Sequence, residues 1–440
     1  MKKNKFITST IILTIGNIIT KIINMIIRVG ISRNIGTTGM GVYMLVVPTF
    51  SLFIALAQMG LPVAISKLVS EKKNNNKKIM INATSTIMIF NIFLLLIIFI
   101  LANFIANKLL HDARTYKAII SIALVLPFIS ISSILRGYFF GKQNVIPHVT
   151  SNISEDIIRM ITILIGLPIS YKYGLENAIS FIILSNIISE TISIIILLGF
   201  APKNIKIEKK DLKPDIITTK NVFRIGIPTT GSRLIASTSA CLEPIILTTI
   251  LLTNGYTRDF IVTEYGIING YVLPILVLPS FFTASLSTAL IPSISESFSE
   301  NKFEMVKSKL KQATFISFLI GLIATIIIIL FSNKVLMVMF KTTKGSNYIK
   351  LMAPIFLLYY IEMPLSAFLQ ATGYPKKAMY DNLIGVIIKI LIILIFGYLK
   401  IALYNLIIAI LVDIIIVTLL HLFNSLKILN NIYKNEKKYI

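Results

Sequence analysis

The stretch Thr14–Gly41, TIGNIITKIINMIIRVGISRNIGTTGMG, decides how the chain is read. Its first half is apolar enough to enter a bilayer, yet Thr14, Asn17, Lys21, Asn24 and Arg28 interrupt it at spacings of three, four, three and four. On an α-helix those steps place all five side chains on one face. A cation at the centre of a bilayer costs about 2.5–3.5 kcal/mol on insertion scales, so such residues face a protein interior or a water-filled cavity. The stripe predicts a membrane helix that borders a cavity, and two cations there predict an anionic occupant. Lys21 lies mid-span, too deep to reach water by stretching along the helix. Arg28 is nearer the end, and Arg33, about one turn beyond the stripe, falls at the outer mouth, where snorkelling to the interface is the competing reading.

The rest of the composition agrees with a membrane. Of 440 residues 55% are hydrophobic and 14% charged, and the mean hydropathy is +0.83. A span needs about 20 apolar residues, and windows of that length recur throughout, with approximate limits 7–30, 42–66, 80–104, 118–139, 154–171, 178–200, 222–251, 265–292, 313–332, 348–371, 383–399 and 402–425. The expected fold is an all-α polytopic membrane protein with about twelve transmembrane helices. Met1-Lys2-Lys3-Asn4-Lys5 before an apolar run imitates a secretory signal, but no small-residue cleavage site follows, so the run reads as a retained first span. The single cysteine, Cys241, excludes an internal disulfide, and His111, His148 and His421 show no metal-ligand spacing.

The net charge of +24 would suggest a nucleic-acid partner in a soluble chain. Here it reads as lysines held on one side of a lipid bilayer, facing anionic headgroups, and no nucleic-acid partner is expected. With the N-terminus inside, most of the 43 basic residues fall on the cytoplasmic side, including Lys67, Lys72, Lys73, Lys77 and Lys78, the run from Lys203 to Lys220, and Lys302 to Lys311. Both termini are therefore expected on the cytoplasmic side of the membrane.

The longest cytoplasmic connection, 201–220, divides the chain into two six-span lobes, 1–200 and 221–440. The lobes resemble each other. Leu61-Pro62 recurs as Ile291-Pro292, and Leu135 and Arg159 find Leu365 and Lys389 at that same separation. Gly16 matches Gly231 at a shorter one, which sets Thr229, Ser232, Ser239 and Glu243 against Thr14, Asn17, Asn24 and Arg28. Both lobes begin on the same side, so the repeat is parallel, about a pseudo-twofold axis along the membrane normal, an arrangement found in transporters. Pro62 and Pro292 are the candidate hinges, since interrupted helices near a repeat interface are where transporters bend and bind.

Four acids fall inside spans: Glu190, Glu243, Glu362 and Asp413. Glu243 and Glu362 are candidates for an ion-coupling site for Na+ or H+; structural ion pairing with Arg233 or Lys389 is the alternative. Arg233 is the best facing cation from the second lobe, while Arg224 and Arg136 lie nearer span ends. There is no glycine-rich phosphate loop, no catalytic triad pattern and no cofactor motif, so an enzyme is not expected, and the energy must come from a gradient or from the substrate's own downhill consumption.

The segments TKIINMIIRVGISRNIGTTGMGVY (20–43), GLPVAISKLVSE (60–71), LRGYFFGKQN (135–144) and ALIPSISES (289–297) resemble the stage V sporulation protein B group. These are polysaccharide-transporter-like members of the superfamily that includes the lipid II flippase MurJ, O-antigen flippases and MATE exporters. The resemblance runs over nearly the whole chain. It implies two six-helix lobes around a central cavity. It also implies a lipid-linked sugar pyrophosphate as substrate, in spore cortex peptidoglycan or other wall polysaccharide synthesis, with wall-polymer synthases as partners. The family's basic residues in the first helix match Lys21 and Arg28, and a cation site in the second lobe would fall near Glu243 and Glu362. Many relatives carry two further helices that help form a groove for the lipid tail, whereas this sequence ends at Ile440, which leaves the groove and the substrate open.

The reading at this point is a flippase working by alternating access, with Asn17, Lys21, Asn24, Arg28, Arg33 and Arg233 binding substrate. Two alternatives stand. A MATE-like multidrug or cation antiporter would want acid, not base, in its first helix. A membrane glycosyltransferase or ligase would want large outer loops, and those near 105–117 and 252–264 are short.

Overall fold

The computed structural model describes residues 2–71, 76–201 and 216–436. Lys72, Lys73, most of the 201–220 connection and Lys437 and Lys438 lie outside the described residues. All regular elements among the described residues are helical.

The opening element, α1 (Lys2–Gln58), is a continuous trace broken at Gly36, where φ is 69° and ψ is −171°. A Cβ would disfavour that positive φ, and glycine has none. The spans expected at 7–30 and 42–66 therefore meet at one residue. The stretch between them, which looks like a polar loop in sequence, is helical on both sides of the break. A second break follows at Gly60, φ 66°, and α2 (Leu61–Ser70) begins there with Pro62 in its first turn, where a missing N–H leaves nothing unsatisfied.

Two of the quoted sequence motifs pack on each other. A Cβ added to Gly137 would sit 2.6 Å from the Pro62 carbonyl oxygen, and one on Gly141 would sit 2.6 Å from that of Ser66. The two glycines, one turn apart near the end of α4 (Tyr116–Gly141), form a bare strip on which the backbone of α2 lies. Between them in sequence, α3 (Asn76–Phe104) continues into a π-helical turn, Ile105–Leu109. Next come α5 (Ile146–Tyr171), α6 (Leu175–Gly199) and α7 (Ile216–Thr253).

The eighth span is in pieces: α8 (Arg258–Gly266), a π-helical segment Ile267–Val272, α9 (Leu273–Val277) and α10 (Ser280–Ser299). Pro274 and Pro279 remove backbone donors here. Pro292 lies inside α10, whereas Pro62 opens α2. The chain finishes with α11 (Phe303–Phe340), α12 (Ser346–Ala371), α13 (Pro375–Gly397) and α14 (Tyr404–Glu436).

Ten helices among the described residues are long and apolar enough to cross a membrane. The break in α1 makes one of these two spans, and α5, apolar beyond Arg159 but charged before it, adds another. That restores the expected twelve. Side chains such as Ile89, Ile92, Phe93, Leu96 and Ile100 on α3, and Ile323 and Leu330 on α11, are exposed. Their helical spacing gives an apolar face, which in a chain of this kind is the face for lipid.

The chain falls into two compact units, Met1–Thr249 and Ile250–Ile440. Each buries its own cluster. In the first, Ala64, Ala83, Leu135, Tyr138 and Phe139 meet. In the second, Ile294, Ala313, Leu365, Phe368 and Leu369 meet. Residue for residue these pairs stand at the separation that relates Pro62 to Pro292, so the internal repeat is a repeat of packing. Ser295 even donates to the Ala371 carbonyl at 2.8 Å, tying α10 to α12 where α2 meets α4 in the first unit.

Candidate functional site

The polar stripe of α1 borders further polar side chains. Asn17 and Asn24 are exposed, and Lys21 and Arg28 are half-buried. Asn24 donates to the Thr20 carbonyl at 2.8 Å and to Asp156 Oδ2 on α5 at 3.1 Å. Its own Oδ1 accepts from Arg159 at 3.0 Å. Tyr43 lies within electrostatic reach of both Arg28 and Arg159. In a straight helix Arg28 and Tyr43 would be about 22 Å apart; the break at Gly36 brings them together.

Arg159 is the centre of a larger group. It pairs with Asp156, approaches Glu155 at 3.9 Å, and donates to Asn186 Oδ1 on α6 at 3.1 Å. Glu155 also pairs with Arg136 of α4. Arg136 reaches Glu190 on α6 at 3.4 Å and Ser193 at 2.9 Å. Four helices thus contribute to one ionic network: α1 by Asn24, α4 by Arg136, α5 by Glu155, Asp156 and Arg159, and α6 by Asn186, Glu190 and Ser193. The carboxylates are little exposed, at 10% for Glu155 and 7% for Glu190. Charges this deep are tolerated when each has an opposite partner and hydrogen bonds besides.

Sequence reasoning missed Glu155 and Asp156 and left Arg136 as an interfacial residue. A signal was available. Ser151, Glu155 and Arg159 recur every fourth residue, and Asn186, Glu190 and Ser193 follow the same four–three step that exposed the α1 stripe.

The other expected site residues are more dispersed. Arg33 is exposed, three residues before the break. Arg233 on α7 donates to Gln58 Oε1 at 2.7 Å, at the end of α1 and within the first unit. Glu243 is buried on α7, also in the first unit. Glu362 belongs to the second unit. There it lies near Asp413 of α14 and Tyr359 of its own helix, and 3.9 Å from Nδ1 of His421. The opposite ring nitrogen of His421 is 3.8 Å from Asp381, whose two oxygens accept from Asn424 at 2.9 and 2.8 Å.

A helical membrane protein with a repeated packing core, interrupted spans and an ionic network on the inner faces of its helices is a multi-pass membrane transporter by architecture. Comparison with known proteins narrows this. The chain belongs to the polysaccharide biosynthesis protein family, whose sequence profile matches residues 6–298; a second profile, MatE, matches residues 240–395. It is 38% identical to stage V sporulation protein B of Bacillus subtilis (strain 168) over 401 residues, 88% of this chain and 77% of that protein. It is 22% identical to the lipid II flippase MurJ of the same organism, over 88% of this chain and 77% of that one. Among solved structures, an inward-facing multidrug resistance MATE family transporter of the MOP superfamily superposes with a TM-score of 0.74 at 16% identity, covering 94% of this chain and 96% of the other. That likeness shows the fold.

Proposed function

We propose that the protein is a flippase of the bacterial cytoplasmic membrane. It carries an anionic, lipid-linked sugar pyrophosphate of the kind used for peptidoglycan or other wall polysaccharide, including spore cortex. One observation carries the reading: Lys21 and Arg28 stand on a polar face of α1 that runs on through Asn24 to Arg159. Ammonium and guanidinium groups bind phosphate through charge-assisted hydrogen bonds, the guanidinium in a bidentate fork. Asn17 hydrogen-bonds sugar hydroxyls, while Asn24, already engaged by Asp156 and Arg159, passes the arrival of the headgroup to the network behind it. Arg33 gathers the anion at the outer mouth and Arg233 contributes from α7. The prenyl tail stays in the bilayer.

In this reading two lobes, 1–200 and 221–440, rock about hinges at Pro62 and Pro292, with both termini in the cytoplasm and wall-polymer synthases taking the product. Glu243 and Glu362 couple the cycle to a cation gradient. The names of the relatives, a sporulation protein and a lipid II flippase, support this choice over a cation exporter.

The test is transport by purified protein in liposomes, using a fluorescent polyprenyl-pyrophosphoryl sugar. Arg28→Ala is expected to lose transport while inserting and melting as wild type does. Transport at the wild-type rate by that variant would overturn the reading. Mass spectrometry of lipids from a strain lacking the protein identifies the sugar: the accumulated precursor is the substrate.

A further inference from the structure

The second unit holds a buried imidazole between two acids that the substrate path does not use. His421 on α14 is 0% exposed. Its Nε2 faces the Ala378 carbonyl on α13 at 3.4 Å. A carbonyl can only accept, so Nε2 carries the proton and Nδ1 bears a lone pair. Nδ1 has no hydrogen-bond partner. Glu362 Oε1 on α12 lies 3.9 Å from it, while Asp381 Oδ2 lies 3.8 Å from Nε2. Both gaps exceed a hydrogen bond by less than about 1 Å, within reach of small side-chain rotations. Asn424, one turn along α14, holds both oxygens of Asp381 in place.

The charged surroundings are otherwise sparse. Asp413 lies near Glu362 on the α14 side, with its Oδ1 against the bare Gly385 of α13, and Lys389 follows one turn along α13. From α12 the facing groups are Glu362 and Tyr359. The charged residues of α11, which also packs on α14, are Glu304, Lys307, Lys309, Lys311 and Lys334, all towards its two ends.

We propose that His421 passes a proton between Glu362 and Asp381, so that the second unit conducts protons through its own interior between a mid-span carboxyl and one near the start of α13. The step balances. The O–H bond of a protonated Glu362 breaks and an N–H bond forms at Nδ1. The Nε2–H bond breaks and an O–H bond forms on the Asp381 carboxylate. The ring ends in its other neutral tautomer and resets by the reverse transfer or by turning over. The coupling ion is then a proton, and to this extent the proposal rests on the reading of Glu362 as a coupling residue. It does not depend on which lipid is carried.

The chain has three histidines, so solid-state NMR of 15N-histidine-labelled protein in liposomes resolves three imidazoles, assigned with His111→Gln and His148→Gln. The His421 ring-nitrogen shifts are expected to change between about pH 5 and pH 9, with both neutral tautomers present midway, and Glu362→Gln is expected to abolish the change. A His421 ring fixed as Nε2–H at every pH overturns the relay, as does a change that persists in Glu362→Gln. The wild-type spectra decide the first point even if the variant does not fold. These readings need no substrate, so they fail separately from the loss of transport in Arg28→Ala.

Discussion

Arg136 shows how much one little-exposed residue can hold. It is paired with Glu155 and Glu190 and donates to Ser193, so its removal strands two carboxylates that the fold has already desolvated. Breaking a buried pair from one side costs about 3–5 kcal/mol, because the remaining charge stays uncompensated. Arg136→Met should lower thermal stability in detergent by an amount of that order. Adding Glu155→Gln and Glu190→Gln to the same chain should restore a good part of it, since neutral amides need no counter-charge. Unchanged melting of the single variant, or no recovery in the triple one, would show that the network is not structural. The sequence discloses such networks unevenly. Spacing reveals which face a residue occupies, so the α1 stripe could be read directly. Spacing does not reveal which faces meet. Arg136, judged by its place near a span end, looks interfacial, and only the approach of α5 and α6 shows it to be enclosed by acids.

Elements in this fold are seated by absent side chains. The α2 backbone lies against Gly137 and Gly141, where any Cβ would come within 2.6 Å of a carbonyl oxygen of α2. Backbone atoms cannot swing aside as a flexible side chain can. Gly137→Ala should therefore push α2 off α4 and cost about 1–3 kcal/mol, the usual penalty of overpacking. A glycine that faces open space, such as Gly199, supplies the control: Gly199→Ala should be neutral. The comparison is made by thermal unfolding of both variants in the same detergent. The count of spans was legible because apolar runs of about 20 residues are hard to mistake. The form of their junctions was not. Residues 31–41 are rich in glycine and threonine, which read as a loop, yet the chain stays helical on both sides and spends one positive-φ glycine to break. In the eighth span Pro274 and Pro279 interrupt the helix, but the π-helical segment before them has no composition signal of its own.

For the whole molecule, the lysines predict an orientation, and the chain offers a clean way to check it. Moving lysines across the bilayer is costly, so segments rich in them stay on the side of synthesis. The ends of α2 and α10 both lead into such segments, with Lys67 to Lys78 about the first and Lys302 to Lys311 after the second. The turns after α5 and α11 hold fewer and should lie outside. Cys241 is the single cysteine and is buried, 3.7 Å from the Thr49 hydroxyl, so Cys241→Ser gives a background in which one new thiol reports its own side. Ser70, Lys172, Ser299 and Lys344 are all exposed. Changed to cysteine one at a time, Lys172 and Lys344 should react with a membrane-impermeant maleimide in intact cells, and Ser70 and Ser299 only after the membrane is opened. The two reactive positions come from different halves, as do the two protected ones, so the pattern also tests whether the halves run parallel. If the repeats were inverted, Ser299 would label together with Lys172, and the pseudo-twofold axis would lie in the membrane plane instead of along its normal.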